Sequence, residues 1–116
     1  MDQQRLNQKF QDSLRSYEYR DQESCDEWDV ECASGCFMFA RTTALKSING
    51  FDERYFLYFE DFDLTMRLKL LGRIKQVSRV QIIHNGGAAA KKGWRHLLYF
   101  AASCIRFFNS HGWKYH

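Results

Sequence analysis

The chain has 116 residues, a formal net charge of +3, 45 % hydrophobic and 16 % aromatic residues, and no proline. This length allows one domain or part of one. The small charge excess does not mark a nucleic-acid binder, and no run of roughly eighteen apolar residues is present to span a bilayer.

Residues 1–29 are polar and read as a connector. Leu6, Phe10 and Leu14 recur every four residues, which predicts a short helix over about 4–17, and Arg20 to Asp29 reads as an acidic loop. The amino terminus lacks the apolar core of a secretory signal. The four cysteines, at 25, 32, 36 and 104, have no zinc-site spacing and read as reduced thiols in a cytoplasmic protein.

Residues 30–40 change character. Val30, Phe37, Met38 and Phe39 predict a buried strand, interrupted at Ser34-Gly35 by a bulge or by the close approach of a ligand or another backbone. A short helix follows from Arg41 and ends at Asn49-Gly50, two residues that tolerate positive φ. The next stretch, NGFDERYFLYFEDFDLTMRLKLLG, passes through Phe51, Tyr55, Phe56, Tyr58 and Phe59 with the acids Asp52, Glu60, Asp61 and Asp63 among them. Leu64, Leu68 and Leu71 then line one face of a helix over about 61–71, stopped by Gly72. The acids fall at that helix's amino end, where unpaired N–H groups and the macrodipole favour negative charge. Two readings stand open for them, a helix cap and a general base.

Arg73 to His84 alternates apolar and polar residues with Ile74, Val77, Val80, Ile82 and Ile83, predicting one or two strands in a mixed sheet with residues 30–40. His84 ends this run beside Asn85-Gly86-Gly87, free to meet a metal or a phosphate. The last element is a helix over about 92–109, with Trp94, Leu97, Leu98, Ala101, Ile105 and Phe108 as an apolar stripe and Lys91, Lys92, Arg95 and His96 at its start. It reads as the cover of a sheet or as a basic amphipathic helix resting on an anionic membrane.

The runs SGCFMFAR, FDExxFxYxEDxDLxxR (Phe51 to Arg67) and IIHNGG together resemble the C-terminal half of family 2 inverting glycosyltransferases. The likeness is to a bacterial rhamnosyltransferase-like group that builds cell-surface polysaccharide, and it covers about residues 28–116. It implies an α/β chain holding the acceptor-side half of a GT-A (Rossmann-like) fold, a short mixed sheet with flanking helices. The nucleotide-binding half is missing, so the chain is expected to be a fragment without activity of its own. By the same resemblance Asp61 is the catalytic base, and Ser34, Gly35, Glu60, Asp63 and Arg67 contact substrate. His84 would help to hold a divalent metal, magnesium or manganese, in the complete enzyme. Asp61-Phe62-Asp63 is spelled like the family's metal motif but stands in the wrong place for it. The implied partners are a nucleotide-sugar donor and a glycan or lipid-linked acceptor. Peripheral contact of residues 91–109 with the cytoplasmic membrane face is expected, and no nucleic acid. The alternative is a non-catalytic module that binds a membrane or a partner.

Overall fold

The computed structural model describes residues 26–86 and 92–113, together with Gln8. The helix expected over 4–17 lies outside the described residues, Gln8 apart, as do Gly87 and Lys91. The elements in chain order are β1 (Glu27–Asp29), α1 (Thr42–Ser47), α2 (Glu60–Lys69), β2 (Lys75–Val77) and α3 (Trp94–His111). The chain divides into two compact units, the first running up to Trp28 and including Lys75–Gln81, the second comprising Asp29–Ile74 and Ile82 onward.

The first unit holds most of the two-stranded sheet. The register is antiparallel: Ser78 N–H donates to the Asp26 carbonyl (3.0 Å) and Val30 N–H to the Ile74 carbonyl (3.1 Å), while the side chains of Glu27 and Lys75 form an ion pair across the strands. β2 ends in a turn, with Val80 N–H donating to the Val77 carbonyl and the Gln81 amide to that of Ser78.

This sheet corrects the expected one. Residues 30–40 form no strand and the sheet is antiparallel rather than mixed, whereas β2 lies within the stretch 73–84 expected to hold one or two strands. The paired segments are three residues each, and β1 falls inside the stretch read as an acidic loop. A period-2 pattern marks a segment suited to a pleated, covered surface, but a strand also needs a pairing neighbour. After Asp29 the backbone N–H groups of Ala33 and Gly35 go instead to side chains of α2. Phe39 and Ile83 stand 97 % and 94 % exposed, with no apolar layer over them.

The second unit is built on its helices. α1 ends in a Schellman motif: Asn49 and Gly50 both take positive φ, Gly50 N–H donates to the Leu45 carbonyl (2.9 Å) and Asn49 N–H to that of Lys46 (3.2 Å). The Asn-Gly pair thus stops the helix as the sequence indicates. The core is small: Val30, Tyr55, Leu64 and Leu68. α2 contributes Leu64 and Leu68 as expected, but the helix ends at Lys69, so Leu71 lies beyond it and is exposed.

α3 packs on the aromatic loop before α2 rather than covering a sheet. Phe59 meets Phe62, Phe100 and Phe107 with ring centroids 5.2–5.7 Å apart. Tyr58 packs edge-on against Phe100, and its hydroxyl bonds His96 Nδ1 at 3.0 Å. The buried Ser103 hydroxyl donates to the Leu57 carbonyl (2.6 Å). The inward face of α3 is therefore His96, Phe100, Ser103, Phe107 and His111. Of the predicted stripe, Trp94, Leu97, Leu98 and Ile105 are each more than half exposed, Ala101 is exposed, and Phe108 is half-buried against Phe107 and Trp113. Both faces are apolar enough to fit the helical template, so periodicity alone does not choose between them.

Candidate functional site

The acids of α2 are presented by strained backbone. Tyr58 and Phe59 both adopt left-handed conformations (φ 69° and 61°), in which a bulky residue is an outlier. Each such residue costs on the order of 1–3 kcal/mol unless its surroundings hold it. The aromatic contacts with α3 supply that hold. The two residues swing their rings onto α3 and start α2 at Glu60, while the Phe59 carbonyl accepts the Asp63 N–H (2.9 Å).

Asp61, the second residue of α2, is half-buried and fixed by two backbone donors. Gly35 N–H donates to its Oδ2 (2.8 Å) and Phe62 N–H to its Oδ1 (2.9 Å). A carboxylate offers about four lone-pair positions, so each oxygen keeps one for a hydroxyl donor. The loop before Gly35 is tied to the same helix turn through Thr65, which is fully buried. Its hydroxyl donates to the Asp61 carbonyl (2.8 Å) and accepts from Ala33 N–H (3.3 Å).

These contacts explain Gly35. A Cβ there would stand 3.2 Å from Asp61 Cβ, closer than side chains ordinarily pack. The close approach read from the sequence at Ser34-Gly35 is thus made by α2, and Ser34 stands exposed beside it. In a Gly35→Val variant the loop is expected to lift off α2 and lose its bond to Asp61. Amide hydrogen exchange at residue 35 should rise, with little change in the thermal midpoint because the loop is exposed. Unchanged exchange would show that the loop accommodates the side chain in place.

Glu60 lies next to Asp61, and its buried Oε2 has no hydrogen-bond partner among the described residues. Asp63 and Arg67 go elsewhere. Asp63 is 3 % exposed; its Oδ2 accepts from Arg67 Nε (2.8 Å), and its Oδ1 lies 2.8 Å from His111 Nε2, which donates. One Arg67 nitrogen also donates to the carbonyls of Ile48 (2.9 Å) and Gly50 (2.8 Å) at the end of α1. Asp63 and Arg67 therefore join α1, α2 and α3. Arg67 also forms one wall of an open cleft with Asn49, Phe51 and Asp52, and Asp61 is not part of it. Asp52, on that cleft, has its carboxyl held down to about 2 by hydrogen bonds from the Arg54 side chain.

The structure thus brings Gly35 and Asp61 together, with Ser34 and Glu60 adjacent in the chain, and turns Asp63 and Arg67 into the fold. His84 is exposed, its ring lying against Gly86. Among the described residues no group of three His, Cys, Asp or Glu side chains is placed to hold a metal ion. Asp61 and Asp63 do not act as a pair, since their oxygens bond on different sides of α2. The donor set of these residues does not by itself fit a divalent cation.

Two contributors escape sequence reasoning. Thr65, four residues after Asp61, carries a signal in hindsight: a hydroxyl on the leucine face of a helix needs an acceptor. His111 carries none, because its partner lies far away in sequence.

About half of the chain aligns with rhamnosyltransferases. It is 43 % identical over 56 residues, 47 % of this chain, to the rhamnosyltransferase WbbL of Escherichia coli (strain K12). It is 40 % identical over 60 residues, 51 % of this chain, to the N-acetylglucosaminyl-diphospho-decaprenol L-rhamnosyltransferase of Mycobacterium tuberculosis, in strains CDC 1551 and H37Rv. These matches span 21 % and 20 % of the relatives' own lengths. No family model and no solved structure matches the chain.

Proposed function

We propose that this chain is the acceptor-side part of an inverting, rhamnosyltransferase-like glycosyltransferase of GT-A type, with Asp61 as its general base. The observation that carries the reading is the fixed Asp61 carboxylate. It is held by Gly35 and Phe62 N–H groups at the start of a helix, with lone pairs left over, within a chain that is similar to rhamnosyltransferases over about half its length.

In the proposed reaction the acceptor hydroxyl attacks the anomeric carbon of the nucleotide sugar. Its proton passes to Asp61 as the new C–O bond forms. The bond to the nucleoside diphosphate breaks, and its electron pair leaves with the diphosphate. Attack opposite the leaving group inverts the anomeric centre. Gly35 and Phe62 orient the base, and Ser34 and Glu60 flank the acceptor. Asp63 and Arg67 set the angle of α2 and so position Asp61, which is how they bear on substrate in this reading. The donor is a nucleotide-linked sugar of rhamnose type, and the acceptor is a sugar carried on a lipid diphosphate, the class named for the mycobacterial relative. In this reading His84 would be one ligand of a divalent cation, which would neutralise the charge of the leaving diphosphate.

The test is a chimaera in which this chain's matching stretch replaces that of the Escherichia coli relative. Rhamnosyl transfer by the purified chimaera is expected, whereas the 116-residue chain alone should turn over no activated sugar. A folded chimaera that binds the donor but transfers nothing would refute the reading.

A further inference from the structure

Helix α3 leaves one face uncovered, and that face is not a random assortment. At about 100° of turn per residue, His96, Phe100, Ser103, Phe107 and His111 gather on the side packed against the aromatic loop. Trp94, Leu98 and Ile105 gather on the opposite side, with Leu97 at their edge. These four are 68 %, 57 %, 52 % and 67 % exposed. Single exposed apolar residues are ordinary, but a contiguous stripe over three turns of one helix marks an interaction surface.

The charges beside the stripe identify its occupant. Arg95 and Arg106, about three turns apart, fall on one flank of it and are both exposed, and Lys92 precedes the helix. α3 carries no acidic residue. The Arg95 guanidinium lies 5.7 Å from the Trp94 ring centroid, so an aromatic ring and a cation share the amino end of the stripe. An apolar stripe with tryptophan at one end and arginines along its edge suits the boundary between acyl chains and anionic headgroups. A second copy of this chain would bring identical cations to face these ones. No helix of the described residues is long and apolar enough to cross a membrane, so this contact is with a surface.

We propose that the outward face of α3 docks peripherally on an anionic lipid bilayer. The inference rests on α3 alone and stands whether or not Asp61 is a base, and vesicle binding is read without any transfer assay. The full chain should co-sediment with vesicles of phosphatidylglycerol and phosphatidylcholine in equal parts, and far less with phosphatidylcholine alone. Binding should weaken as salt is added, because the headgroup attraction is screened. Replacing Arg95 and Arg106 by alanine should lower partition onto the anionic vesicles about fivefold for each, or about thirtyfold together. Leu98→Glu with Ile105→Glu should abolish it. Both positions face away from the core, and circular dichroism checks that the helix persists; should the glutamate pair unfold the chain, the arginine pair decides. Equal partition onto both vesicle types, or none onto either, overturns the proposal. So does a concentration-dependent dimer in sedimentation equilibrium that Leu98→Glu dissociates.

Discussion

Asp61→Asn in the chimaera is expected to lower kcat by about 10²–10⁴-fold, the usual worth of a positioned base, while donor affinity stays unchanged. Asparagine keeps the shape of the side chain, and its carbonyl oxygen still accepts the Gly35 N–H, whose bond in the native chain is 2.8 Å. What is lost is the capacity to take a proton, together with the acceptor for the Phe62 N–H, which the amide NH2 cannot replace and water at the partly exposed helix start can. Rate and affinity therefore separate: a uniform binding contact would move KM, whereas a group needed only as the proton leaves moves kcat. Single-turnover measurement with saturating donor reads the chemical step directly. Near-native turnover would make Asp61 a cap that anchors the Gly35 loop and nothing more.

Asp63→Ala is expected to act on folding instead. The carboxylate is 3 % exposed and holds both Arg67 and His111. Its removal leaves the guanidinium partly buried without its counter-charge, and breaking such a pair from one side costs about 3–5 kcal/mol. Whole domains are stable by roughly 5–15 kcal/mol, so this is a large fraction of the total. Arg67 keeps the Ile48 and Gly50 carbonyls, which places the loss near the low end of that range. Urea unfolding should show the midpoint falling steeply. Adding Arg67→Met should recover part of the loss, because an uncompensated buried charge is worse than none. Asp61→Asn should barely move the same midpoint, since its side chain faces the exposed loop. If the two aspartate variants were equally stable, Asp63 would not be the tie between the helices.

The helices were the legible part of this fold. Asn49-Gly50 announced the end of α1 through its positive φ, and the leucine spacing announced α2 to within two residues at its end. Those signals are local: backbone preference and i, i+4 spacing act within one element. The strands were legible only in part: β2 falls inside the alternating run 73–84, but β1 and its pairing did not show, because pairing is decided by what lies alongside. Residues 30–40 have strand-like side chains, yet the amides of Ala33 and Gly35 serve Thr65 and Asp61. The same limit applies to α3, whose period was plain while its inward side depended on Phe59 and Tyr58, far off in the chain. For the candidate site, the acids at the start of α2 could be picked out from the sequence, but their division of labour could not. Asp61 and Asp63 are two residues apart and look equivalent in the sequence. One is turned to a glycine loop and the other to an arginine and a histidine.

The left-handed pair Tyr58 and Phe59 sets a limit on how small this site can be made. Neither residue has a local reason for its conformation, since no glycine relieves it and no side chain caps α2. The reason lies in the rings of Phe100 and Phe107. A peptide spanning only the acidic motif, however faithful its spelling, would relax those two residues to negative φ and redirect the first turn of α2. The bearing of Asp61 is thus a property of a segment that reaches as far as α3, so grafting the motif elsewhere requires carrying that helix with it.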